Sequence, residues 1–291
     1  MLAPQIETLN QMLTAHLHRL GAEIGPRPSG SVANHAAAEY IRDIFRQCDL
    51  EVEMQTFSCI AWEDRGTILE FGGVRLAAAA NAYSQPCDVT AYTIAAGTLE
   101  ELEAADLQGQ IAVLFGDLVM SPIACKSWFL KSEHDERLVQ LLEEKQPVAV
   151  ITVQGSAGEL ERLIEDWEFD IPSITVPPSA GLVILENIGS TLHLKIDTNR
   201  STGSTANVVA RKKGRRPARI VFMAHYDTKI DTPGALDNAS GVAVLLALAQ
   251  TLSGREFDLG MEWIAFTNEE YLPIGDDEYL RRHAASLSDR T

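Results

Sequence analysis

The chain is poor in cysteine, in basic charge and in long apolar runs, and each shortage excludes something. Its four cysteines are Cys48, Cys59, Cys87 and Cys125. None forms a CxxC pair or another zinc-like spacing, so no cysteine-framed metal module is present. They read as free thiols in a reducing compartment, with a single disulfide left open. Lys and Arg total 24 against 41 Asp and Glu, for a formal net charge of −17. Nucleic acid is therefore no expected partner, because binding it needs a clustered basic surface. The one basic cluster, Arg211 to Arg216, reads as a solvated turn. No stretch approaches the roughly 18–20 apolar residues of a membrane span, so no membrane is expected either. The N-terminus lacks the basic start and continuous apolar core of a signal peptide. Ile6, Leu9, Leu13, Leu17 and Leu20 instead predict an amphipathic helix. A cytoplasmic location is expected, with secretion left open should a leader have been removed.

What is present suits a globular protein. Hydrophobic residues make up 46% of the 291 positions and charged residues 22%, which allows one large domain or two ordinary ones. Residues 5–48 predict two helices joined by "GAEIGPRPSGS". Arg27 sits there in a turn, with cleft lining as the functional alternative. "LEVEMQTFSC" alternates as a strand, and a hairpin follows. Residues 88–200 predict a separate α/β unit, with strands at "VTAYTIAA", "GQIAVLFGD", "PVAVITVQG", "IPSITVP" and "STLHLKIDT". Its helices are "TLEELEAAD" with Thr98 as N-cap, "ERLVQLLEEK" and "AGELERLIEDWE". "NRSTGSTAN" reads as a linker. "NVVARKKGRRPARIVFMAHYD" then predicts a hairpin with a fully buried second strand, Arg219 to Ala224. "NASGVAVLLALAQTL" is a helix, and "GMEWIAFTNEE" another buried strand.

Three segments end in chemistry. In "RIVFMAHYD" an apolar strand gives way to His225 and Asp227, which share a side at strand period two. The ends of strands are where open α/β sheets build sites. A ligating imidazole usually donates its other ring proton to a carboxylate or carbonyl. His225 is thus placed as a metal ligand and Asp227 as its orienting partner. Asp237 and Asn238 precede a helix whose apolar face is Val242, Leu245, Leu246, Ala249 and Leu252. The plain reading of that pair is a helix cap. Glu269 and Glu270 close a buried strand, and adjacent carboxylates there are costly unless neutralised. The plain reading is a solvated acidic loop. Taken jointly, imidazole and carboxylates from three strand and helix ends suit a zinc site. The other histidines, His16, His18, His35, His134, His193 and His283, read as surface or strand residues. Trp128 and Phe129 read as local packing, or as part of a lid or substrate wall.

"HYDT", "PGALDNASGVAVLLALA" and "FTNEEY" resemble the motifs of the co-catalytic zinc aminopeptidases, metallopeptidase family twenty-eight. This is the aminopeptidase Y and bacterial leucyl aminopeptidase type. The opening "HLHRLGAEIGPRPSGSVANHAAAEYIRDIF" is similar to that family's start, and residues 88–200 resemble its inserted protease-associated domain. The resemblance implies an α/β fold, a three-layer αβα mixed-sheet catalytic domain of phosphorylase/hydrolase type with a smaller α/β insertion. The expected parts are residues 1–65, 66–202 and 203–291. It implies two zinc ions. His225 would bind one, Glu270 the other, and Asp237 would bridge them. Glu269 would be the general base, and Asp227 would steady His225. The substrates would be peptides with a free N-terminus. The family has a further Asp and His ligand. Asp276, Asp277, Asp289 and His283 lack the context for them, since no apolar strand precedes any of the four. The catalytic domain is therefore expected to be truncated at its C-terminal side, and the covered chain to be inactive alone. A glutaminyl cyclase or carboxypeptidase-like enzyme on the same fold stays open. So does a non-catalytic binding relative, should the natural chain end at Thr291.

Overall fold

The computed structural model describes residues 2–124, 126 and 131–288. Cys125, Trp128, Phe129 and Asp289, named above, lie outside the described residues. In chain order the elements are α1 (Leu2–His18), a π-helical turn (Arg19–Ile24), α2 (Val32–Gln47), β1 (Glu51–Phe71), β2 (Val74–Leu76), β3 (Ala79–Ala80), β4 (Cys87–Ala96), α3 (Leu99–Ala104), β5 (Ile111–Leu114), α4 (Glu133–Lys145), β6 (Ala149–Val153), β7 (Ser173–Val176), α5 (Pro178–Leu185), β8 (Thr191–Lys212), β9 (Arg219–His225), α6 (Ser240–Leu252), β10 (Gly260–Phe266) and α7 (Ile274–Ser288). The fold is mixed α/β. The chain divides into two compact units, one of residues 1–61 with 202–291 and one of 62–201. Both changes of unit fall inside long strands, β1 and β8. The stretch 199–207, expected as a linker, is strand throughout. Its β-branched Thr202 and Thr205 suit a pleated chain, and Thr205 Oγ1 donates to Asn34 Oδ1 at 2.6 Å.

In the first unit β10 lies between β8 and β9, antiparallel to β8 and parallel to β9. The expected β8–β9 hairpin is therefore not formed. The connecting loop delivers β9 to the far side of β10, tied by Gly260 N–H to Ala218 O and Arg216 N–H to Asp258 O. β10 is buried along its whole length, as its apolar run predicts. β9 is not, because it pairs on one side only among the described residues, and Ile220, Val221 and Met223 are exposed. Alternate residues of β10 face opposite layers. Met261, Trp263 and Ala265 pack with Ala37, Ile41 and Phe45 of α2 and Val242, Leu245, Leu246 and Ala249 of α6. Ile264 and Phe266 face Tyr279 of α7, whose ring meets Phe266 edge-on at 5.7 Å. Residues 235–252 do reach the length and hydropathy of a membrane span, contrary to the sequence reading. Here they carry α6, whose apolar face lies in this core.

Other expectations are corrected by partners. On α1 the apolar Ile6, Leu9 and Leu17 are exposed while His16 is buried, and Leu20 is buried in the π-helical turn that follows. His16 can be buried because Tyr40 Oη and Gln250 Oε1 meet its two ring nitrogens at 2.6 and 3.0 Å. His283 is half-buried. It stacks on Tyr279 at 4.3 Å and lies 2.9 Å from Arg211 Nη2. The basic cluster is only partly a solvated turn. Arg211 binds Glu53 and the fully buried Glu262, which also meets Arg219.

The second unit is built on parallel β4–β5–β6–β7, with β3 antiparallel on β7 and β8 antiparallel on β4. Thr98 caps α3 as predicted, accepting from Glu101 N–H at 3.2 Å. The helix expected over residues 157–168 does not form. Side chains satisfy that backbone instead. Gln154 binds Ser156 O, Glu159 O and Glu161 N–H, while Thr175 and Asn81 accept from Leu163 and Ile164. Cys48, Cys59 and Cys87 are free thiols.

Trp263 fills the first core completely, yet its indole N–H has no acceptor. Trp263→Ala is expected to cost about 3–5 kcal/mol in urea unfolding. Trp263→Phe is expected to cost distinctly less, because it removes a donor that is already unpaired. Equal losses for the two would show that the N–H is paired after all.

Candidate metal centre

Parallel pairing sets the register Ala224↔Ala265 and His225↔Phe266. The two strand ends therefore stop side by side. β9 delivers His225, and two residues later the chain supplies Asp227. β10 runs into Thr267 and Asn268, then Glu269 and Glu270. The loop from Thr228 to Gly234 brings Asp237 back to the same place, just ahead of α6.

Asp237 and Asn238 divide their tasks. Both leave helical geometry. Asn238 Oδ1 takes the capping role, accepting from Gly241 N–H at 3.0 Å. A Cβ at residue 241 would lie 2.2 Å from that oxygen, so only glycine fits. Asp237 is freed for the cluster, with Oδ1 2.9 Å from His225 Nε2. The capping interpretation therefore holds for Asn238 and not for Asp237.

His225, Asp237 and Glu270 form a group whose ligand atoms all lie within 4.8 Å of one another. Glu269 stands beside it, more exposed than Glu270, with Oε2 3.6 Å from His225 Nε2. Asp227 is buried at 1% exposure. Its Oδ2 accepts from the backbone N–H of Glu269 at 3.0 Å and of Glu270 at 3.3 Å. Its Oδ1 faces His225 Nδ1 at 3.5 Å, and neither of these buried atoms has another partner. Asp227 thus touches all three of the residues around it, a wider part than the sequence assigned.

The electrostatics follow from crowding. Burial opposes charge on His225, but Asp227, Glu269 and Glu270 outweigh it and hold the imidazolium up to about 9. Burial and then the Asp227 and Asp237 charges push Glu270 up to about 7. Asp276 is raised as well, by burial first and then by Glu269. One imidazole nitrogen and converging carboxylate oxygens, short of positive charge, fit a divalent cation of the zinc class. The facing His225 Nδ1 and Asp227 Oδ1 are the arrangement that holds a ligating ring in one tautomer.

A supporting layer was not legible in the sequence as function. Asn34 Nδ2 donates to Thr267 Oγ1 and Arg27 O, and Asn207 binds Thr267 N–H and Gly275 O. Arg27 is fully buried, so it lines no cleft. The signal was the Pro-Arg-Pro run in "GPRPSGS", where a charged residue stands between two rigid ones.

Residues 207–290 match the model of peptidase family M28. Aminopeptidase YwaD of Bacillus subtilis is 27% identical over 272 residues, which cover 91% of this chain and 56% of YwaD. The chain thus spans little more than half of that relative's length. The aminopeptidase structure from Aneurinibacillus sp. strain AM-1 superposes with a TM-score of 0.70 at 25% identity, covering 94% of this chain and 66% of that one. The structure of BSAP, a zinc aminopeptidase from Bacillus subtilis, gives 0.75 at 24% identity over 93% and 64%. The similarity to peptidase family M28 lies in residues 207–290, the segment that carries His225, Asp237, Glu269 and Glu270.

Proposed function

We propose that this chain carries the metal centre of a zinc-dependent aminopeptidase acting on peptides with a free N-terminus. The observation that carries the reading is the convergence of His225, Asp237 and Glu270 from three separate segments. The aminopeptidase relatives at 27% and 25% identity support the same reaction class. His225, Asp237 and Glu270 would hold the metal, and we read Asp237 as the carboxylate that two ions would share. When bound, the metal supplies Lewis-acid polarisation of the scissile carbonyl and acidifies the attacking water. Glu269 is the general base. It is exposed and adjacent to the ligands, so it can take the proton from water and return it to the departing amine. Asp227 holds the His225 ring and, through two amide bonds, the Glu269–Glu270 backbone. The second unit is read as a protease-associated domain.

The test is zinc affinity of the 291-residue protein together with leucine-anilide hydrolysis by protein of the natural length, with and without chelator. Chelator is expected to abolish hydrolysis. Glu269→Gln should keep zinc and lose about 10²–10⁴-fold in rate, whereas His225→Ala should lose zinc itself. Chelator-resistant turnover, or undiminished zinc binding by His225→Ala, would sink the reading.

A second test uses pH. In the metal-free protein, Glu270 is lifted from 4.5 to about 7 and His225 from 6.5 to about 9. Both folded values exceed the unfolded ones, so the folded state binds its protons more tightly. The contribution from Glu270 is complete below 4.5 and fades through about 7. That from His225 is complete below 6.5 and fades through about 9. Chelated protein is therefore expected to lose stability to urea as pH rises over this window. Glu270→Gln should flatten the lower part of the slope, and zinc should flatten the whole of it. An unchanged slope in Glu270→Gln would refute the assignment.

A further inference from the structure

Arg27 is fully buried, and the partners its guanidinium meets among the described residues are backbone carbonyls. Taking a guanidinium out of water costs several kcal/mol unless its donors are met. Here backbone carbonyls meet them. Nε donates to Tyr226 O at 2.5 Å. Nη1 donates to Leu20 O, Gly25 O and Pro233 O at 3.1, 3.0 and 2.8 Å, and Nη2 to Gly234 O at 3.2 Å. Its own backbone is pinned too. Its N–H donates to Thr228 Oγ1 at 2.9 Å, and its carbonyl accepts from Asn34 Nδ2 at 3.3 Å.

The partners fall into two groups. Leu20 and Gly25 belong to the π-helical turn and its exit. Tyr226, Pro233 and Gly234 belong to the metal loop. Tyr226 lies between His225 and Asp227. Gly234 begins the turn that carries Asp237, and it has a left-handed φ of +55°. A Cβ there would lie 2.3 Å from Thr228 Cγ2. The loop is therefore drawn tight around the guanidinium. Asp227 and Glu270 are close enough to raise the Arg27 pKa against the burial that lowers it to about 10.

We propose that Arg27 is a positioning residue of the metal centre. Its planar fork ties the strand end that bears His225 and Asp227 to the turn that bears Asp237, so the ligand spacing is set before metal arrives. This rests on the metal-centre reading above. Lysine cannot replace it, because three donors on one nitrogen cannot span carbonyls spread around a plane. The same fixed cation lies behind the carboxylates and is never surrendered to solvent.

The experiment compares native protein with Arg27→Lys and Arg27→Met, and with Phe45→Leu as a core variant on α2. Zinc affinity is read by competition with a chromophoric chelator. Amide exchange in chelated protein is read at 226–228 and 234–239. Both Arg27 variants are expected to bind zinc about 10–100-fold more weakly and to lose protection in both segments. Phe45→Leu should lower the melting temperature and leave zinc affinity and those segments unchanged. Native affinity in Arg27→Lys, or an equal loss of affinity in Phe45→Leu, would overturn the proposal. Should the Arg27 variants not fold, Thr228→Val removes the bond from the Arg27 N–H together with the hydroxyl's own bond to Lys229 O. It is then expected to weaken zinc several-fold, and no change would overturn the proposal. If native protein binds no zinc, the metal-centre reading fails by itself. The exchange comparison still decides whether Arg27 ties the two segments together.

Discussion

The centre depends on one buried carboxylate. Asp227 is almost wholly removed from water, and an uncompensated charge there would be untenable. Its compensation is shared out with little slack. Two backbone N–H groups of the Glu269–Glu270 turn take one oxygen, and the His225 ring faces the other. Ser29 Oγ stands 3.5 Å away, and the Arg27 charge acts through space. These partners come from three stretches of chain, residues 27–29, residue 225 and residues 269–270. None can shift without exposing Asp227 to an unmet cost, so this carboxylate sets the geometry of ligands it does not itself join.

The fold makes that convergence possible through strand direction. β9 and β10 are adjacent and parallel, so both carboxyl ends finish on one side. Were they antiparallel neighbours, His225 and the glutamate pair would lie at opposite ends of the sheet. The requirement for parallel pairing explains why β9 crosses to the far side of β10 rather than folding back on β8. The long apolar helix α6 then anchors the third segment. Its buried face fixes the axis, and the Asn238–Gly241 contact fixes where the chain leaves it for Asp237.

Much of this was legible because it is local. Apolar periodicity marked α6 and β10, and the capping pattern marked α3. Residue types at strand ends drew attention to His225, Asp237, Glu269 and Glu270, and the structure brings these side chains to one place. Pairing between strands was not legible. A hairpin and a linker both look right in sequence until β10 is known to separate β8 from β9 and 199–207 is seen to pair. Buried polar residues failed for the same reason. His16 looks like a surface histidine until Tyr40 and Gln250 are folded against it. Arg27 looks like a turn residue until the carbonyls of Tyr226, Pro233 and Gly234, far along the chain, close around it with those of Leu20 and Gly25. Hydrophobic pattern shows what must be buried, but the partners that allow a polar group to be buried are set only by tertiary structure.

Charge gives these elements a common logic. Four carboxylates, Asp227, Asp237, Glu269 and Glu270, crowd one imidazole, and Arg27 is the fixed cation behind them. His225 holds its proton more tightly than usual because of these carboxylates, and Glu270 does so because of burial first and the Asp227 and Asp237 charges second. On the proposed function, those protons occupy an electrostatic role that a divalent cation would fill better, so metal and proton would compete for one site. Glu269 differs from its neighbour in being exposed and outside the tight ligand group. Adjacent residues at a strand end face different ways, and here that simple fact separates a carboxylate suited to holding a cation from one free to move a proton.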